Sequence, residues 1–237
     1  MNETHGRDIG VEPDGSDQSS GDVPGAEDPE PRWPALVALV ALGGLYAALP
    51  PILVGGPRWL PLVLLLVLLV PAVIWHRQGH HVRNQVLGYA MNGIVTVVMI
   101  WSLALLIDAL LGHKATPDVL LRSAAALWLS NILVFASWYW RLDAGGPHKR
   151  DVTTGHSDGA FLFPQMTMAP EAKLAAGEHE WAPAFVDYLF LAFNTSTAFS
   201  PTDVPVLSRW AKGLMMLQAL ISLLVIALVA ARAVNIL

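Results

Sequence analysis

Residues 86–111, VLGYAMNGIVTVVMIWSLALLIDALL, decide what kind of molecule this chain is. The run holds a single charged side chain, Asp108, and shows no apolar–polar alternation. About 20 helical residues at 1.5 Å each cross the roughly 30 Å of hydrocarbon in a bilayer, and only helices or closed barrels satisfy their backbone groups there. Barrel strands would alternate, so this run predicts a transmembrane helix. Four more apolar runs surround it: Trp33–Val54, Trp59–Trp75, Val119–Trp140 and Val206–Leu237. Trp33, Trp59, Trp75, Trp138, Tyr139, Trp140 and Trp210 stand at or near run ends, where aromatic side chains mark the water boundary. Pro50 and Pro51 end the first run, and Gly55, Gly56 and Pro57 turn the chain into the second, which predicts a tight hairpin.

Composition points the same way. Of 237 residues, 54% are hydrophobic and only 14% charged, against about a quarter charged in a soluble domain, so lipid is the expected solvent. The absence of cysteine excludes a disulfide framework, an iron–sulfur cluster and a thiol nucleophile. The net charge of -5 arises mostly from the acids of the first 30 residues, and no basic groove for nucleic acid is visible. Residues 1–32 are rich in Gly, Asp, Glu, Ser and Pro, too polar to offset the entropy of ordering, and read as a disordered acidic tail. They lack the pattern of a signal peptide. A four-helix transmembrane region is expected over 33–141, a polar loop over 142–182, and a final unit over 183–237.

That final unit opens with Pro183–Thr197, a mostly apolar stretch with a helix-starting proline, too short to span a bilayer comfortably. Periodicity leaves two readings open, an interfacial or packed loop helix and a re-entrant helix that dips into the membrane and returns.

The residues that follow, Phe193-Asn194-Thr195-Ser196-Thr197-Ala198-Phe199-Ser200-Pro201-Thr202-Asp203, resemble the pore loop of the potassium-channel superfamily. In that superfamily a pore helix runs through a Thr-rich turn into TVGYG and an Asp. Thr195 and Thr197 fall on the threonines before the filter, Asp203 on the acid after it, and Ser208, Ala211 and Lys212 on the opening of the inner helix. Leu217–Ser222 resembles the Leu-Glu-Ala-Leu-Leu-Gly segment of that helix, with Gln218 in place of Glu and Ser222 in place of the hinge Gly. The region is also similar to a bacterial family of uncharacterised multi-span proteins with a comparable Phe-x-x-x-Asp turn. The resemblance implies an all-α membrane protein of the bacterial inner membrane, with about five transmembrane helices and a short re-entrant pore-type helix before the last span. It implies further a homotetramer that passes a monovalent cation.

Ala198, Phe199, Ser200, Pro201 and Thr202 replace TVGYG. A carbonyl-lined filter needs backbone dihedrals that glycine adopts freely and that proline resists, so the potassium-type filter is lost. What remains is a wider, weakly selective cation pore lined by Thr195, Thr197, Ser200, Thr202 and Asp203, or a non-conducting scaffold or sensor.

Elsewhere, Asp108 near the end of the third run and Arg122 near the start of the fourth are expected to form an ion pair near the interface, since a membrane charge is costly unless paired or wet. Asn92 and Asn131 sit nearer helix centres and read as interhelical hydrogen-bond partners rather than substrate ligands. His76, His80, His148, His156 and His179 lie in polar loops with no tight ligand spacing, and no metal or other cofactor is expected. No Ser-His-Asp order, phosphate-cradling loop or HExxH is present, so catalysis finds no support. Orientation is contested. The basic residues of the tail, second loop and insert argue for a cytoplasmic insert, whereas the channel resemblance puts a pore loop outside.

Overall fold

The computed structural model describes residues 30–57, 59, 63, 66–68, 70, 74, 81–152, 159–177, 181–197 and 204–234. These form helices α1 (Trp33–Ala47), α2 (His81–Leu111), α3 (Pro117–Leu142), α4 (Pro147–Val152), α5 (Pro164–Thr167), α6 (Pro170–Ala176), α7 (Phe185–Thr197) and α8 (Arg209–Val234). No strand is present among the described residues, and the one bridge, Phe161 to Val206, is isolated. The fold is all-helical.

Among the described residues three helices are long and apolar enough to cross a membrane: α2, α3 with its extension through α4, and α8. The first apolar run is shorter as a helix than as a run. It ends at Ala47, 15 residues or about 22 Å long, because Pro50 and Pro51 withhold backbone donors and a 3-10 turn, Pro51–Leu53, follows. Of the second run, the seven described residues, 59, 63, 66–68, 70 and 74, are helical, and the rest lie outside the described set.

The central helix is α3. Just over half of its most apolar stretch, 56%, is buried inside the protein, against 28% for α2 and 22% for α8. It touches α1, α2, α7 and α8. Pro117 opens it in the first turn, where its missing N–H costs nothing, behind the extended Thr116. Asp143–Gly145 ends it in a 3-10 turn. Gly146 then takes φ +96°, where a Cβ would also strike the Arg141 carbonyl, so glycine is required.

Side-chain contacts fix the helix directions. Gln85 reaches Gly145 and Asn92 meets Ser137, so α2 runs antiparallel to α3. Phe185 packs on Trp140 and Phe193 on Trp128, so α7 is also antiparallel to α3. Asn131 meets Ser222 while Tyr139 meets Gln218, so α8 is antiparallel too. Helices α7 and α8 therefore run parallel. Two ends result: an insert end, where α3 finishes and α2, α7 and α8 begin, and a hairpin end at Gly112–Thr116.

Parallel consecutive helices require the chain to travel back between them. Residues 198–203 lie outside the described set, and the residues after them lie back at the insert end. After Thr197 at the far end of α7, Val206 bridges Phe161, Leu162 donates to the Pro205 carbonyl at 3.0 Å and Leu207 donates to Ala160 at 2.8 Å. Phe161 in turn lies against Tyr188 in the first turn of α7, with ring centroids 6.2 Å apart. The chain has come back to the end where α7 started.

Candidate functional site

Gln218 is the centre of a polar seam between α3, α7 and α8. Its side chain is fully buried, with its amide donating to the Ala192 carbonyl at 2.7 Å and to Ser196 Oγ at 2.8 Å. Its Oε1 accepts from the Tyr139 hydroxyl at 2.6 Å. Asn131 Nδ2 donates to the Gln218 backbone carbonyl at 3.2 Å and to Ser222 Oγ at 2.8 Å. A glutamine carries two amide protons and one carbonyl, and here each is used. An apolar helix pays heavily for an unpaired amide, so this pattern fixes the rotation and depth of the short helix against the last one.

The polar residues expected at the filter are thus divided. Thr195 is buried and its hydroxyl bonds the Leu191 carbonyl of its own helix at 2.8 Å. Thr197 is exposed at the last turn of α7, bonded to Phe193 O at 2.9 Å. Ala198, Phe199, Ser200, Pro201, Thr202 and Asp203 lie outside the described residues. On its outward face α7 presents Val186, Phe190 and Phe193, all apolar and exposed.

A second cluster closes the insert end. Arg150, buried, donates from one nitrogen to the carbonyls of Trp140 (2.8 Å) and Asp143 (3.0 Å) and from the other to Glu30 at 2.8 Å. Trp140 Nε1 also donates to Glu30. The neighbouring carboxylate, Asp143, is fully buried and accepts from the Ala160 N–H and, at 2.7 Å, from the Tyr188 hydroxyl. Burial pushes the Tyr188 phenol well above its ordinary value near 10, which keeps it a donor to Asp143. Arg32 pairs with Asp151 at 2.6 Å. Glu30 and Arg32 belong to the stretch read as a tail, and they are held here by ion pairs. The cluster therefore ties the entry to α1, the end of α3 and the first turn of α7 together.

Sequence reasoning paired Asp108 with Arg122. That pair does not form. The turn at Gly112–Thr116, with His113 at φ +52°, brings Lys114 back over Asp108 at 2.6 Å, both half-exposed, while Arg122 acts on Asp118 one turn before it. Asn92 does serve as interhelical hydrogen-bond partner, accepting from Ser137 at 2.9 Å. Asn131 and Gln218 are brought together, whereas Tyr139, Ser196 and Ser222 were missed. The four-residue spacing of Gln218 and Ser222 on one face of an apolar helix was the available signal. Among the described residues no group of three His, Asp or Glu side chains could hold a metal, and His76, His80, His156 and His179 lie outside them.

No protein-family model, curated protein or solved structure matches this chain. The candidate site stands on its own geometry.

Proposed function

We propose that the chain is a multi-pass membrane protein of about five spans whose final unit is a pore-loop element. In this reading α7 enters the bilayer from the insert end, the chain is back at that end by Val206, and α8 crosses. Four copies surround a weakly selective cation pathway without a potassium-type filter. The observation that carries the reading is the parallel course of α7 and α8 with the return to Phe161, since a helix that crossed would leave α8 antiparallel to it. A single loop supplies a quarter of such a pathway, hence the tetramer. Thr197 and the turn after it would face the ion. Ser196 instead holds α7 to α8 through Gln218, and the buried Thr195 spends its hydroxyl on its own helix.

A specific observation favours a second reading, a non-conducting membrane scaffold. The polar side of α7 is taken up inside the protomer and its outward side is apolar, as a helix buried in lipid or against another apolar surface would be. The full chain reconstituted in proteoliposomes separates the two. A tetramer whose cation flux is lost in Thr197→Ala or Asp203→Ala supports the pore, and a monomer or dimer without flux overturns it.

A further inference from the structure

The acids clustered at the end of α3 are already taken. Glu30 is held by Arg150 and Trp140, Asp151 by Arg32, and Asp143 by Ala160 and Tyr188. One half-buried cation is left over. Arg141, in the last turn of α3, makes no ion pair and no guanidinium hydrogen bond among the described residues, and its Nε is buried without a partner. Its carbon lies 5.3 Å from the centre of the Trp140 ring, and its guanidinium crosses Gly88 of α2 so closely that a Cβ there would stand 1.9 Å from the nitrogen. Glycine makes the space for it. Arg32 is near enough to act on it electrostatically, and the exposed Lys149, also without an ion pair among the described residues, lies over Gly145 beside Gln85.

A partly desolvated guanidinium next to a further cation, with no carboxylate paired to it among the described residues, is an incomplete arrangement, because its five donors and its charge need an anion. Arg141 stands in the last turn of an apolar helix long enough to cross a membrane, the height at which lipid phosphates lie. The guanidinium fork matches the oxygens of a phosphate. We propose that Arg141, flanked by Lys149 and Arg32 between α2 and α3, binds the phosphate of an anionic phospholipid.

The test is thermal melting of the purified full chain in detergent with phosphatidylglycerol, phosphatidylcholine or inorganic phosphate added. Phosphatidylglycerol is expected to raise the melting temperature at concentrations at least tenfold below those at which phosphatidylcholine does. Arg141→Gln is expected to lose that difference, while Arg209→Gln, on α8, keeps it. Should Arg141→Gln fail to fold, Gly88→Ala, which pushes the guanidinium away, is expected to lose the difference as well, and Arg141→Lys to retain part of it. An unchanged preference in Arg141→Gln or Gly88→Ala overturns the proposal. So does stabilisation by inorganic phosphate that equals that by phosphatidylglycerol, which would make the site one for a free anion.

Discussion

Replacing Gln218 by leucine keeps the volume of the side chain and deletes three hydrogen bonds, to Ala192 O, Ser196 Oγ and Tyr139 OH, while the bond from Asn131 to the backbone remains. Interhelical hydrogen bonds in membrane proteins average about 0.6 kcal/mol and reach about 1.7, so the loss should fall at about 2–5 kcal/mol. Part of it is the Tyr139 hydroxyl, fully buried and left without an acceptor. Removing that hydroxyl in the Tyr139→Phe/Gln218→Leu double variant should recover about 1 kcal/mol, so the double should cost less than the sum of the singles. Reversible unfolding in mixed micelles measures all four corners of this cycle. A Gln218→Leu variant within about 0.5 kcal/mol of the parent, or strictly additive singles, would refute the seam as the element that locks α7 to α8.

The remaining expectations concern the ends of the bundle. Glu30→Gln leaves the buried Arg150 without its counter-charge and should destabilise by about 3–5 kcal/mol, whereas Glu30→Leu/Arg150→Met, which removes both charges, should cost less; melting of the three variants decides it. Lys114→Gln breaks a pair whose side chains are 49% and 61% exposed, so its effect in the same assay should stay under about 1 kcal/mol. The Tyr188 phenol ionises at higher pH in the folded chain than unfolded, so its contribution holds below pH 10 and fades above it. Tyr188→Phe should therefore flatten the alkaline fall of stability.

How much of this was legible follows from the kind of signal each feature leaves. The helices α2, α3 and α8 were readable because a bilayer demands long uninterrupted apolar runs. The prolines at 50 and 51 marked the end of the first run, and the helix stops at Ala47, just ahead of them, where they withhold backbone donors. Asn131 and Gln218 stood out as amides in apolar helices, yet nothing in sequence pairs two residues 87 positions apart. Glu30 was hidden in plain view: it is one of nine acids in the first 30 residues, and only the approach of Arg150 distinguishes it from the others. Asp108 went to Lys114 instead of Arg122 because a turn residue with positive φ reversed the chain sooner than two straight helices would suggest.

The course of the chain around α7 is the central claim, and the absence of cysteine makes it directly measurable. Single cysteines at Trp181, before α7, and at Leu207, after the return, would be labelled with a membrane-impermeant thiol reagent in sealed vesicles of known orientation, with His113→Cys in the α2–α3 turn as the opposite-side reference. The account predicts that Trp181→Cys and Leu207→Cys react from the same side and His113→Cys from the other. Labelling of Trp181→Cys and Leu207→Cys from opposite sides would mean that α7 crosses the membrane, and would contradict it.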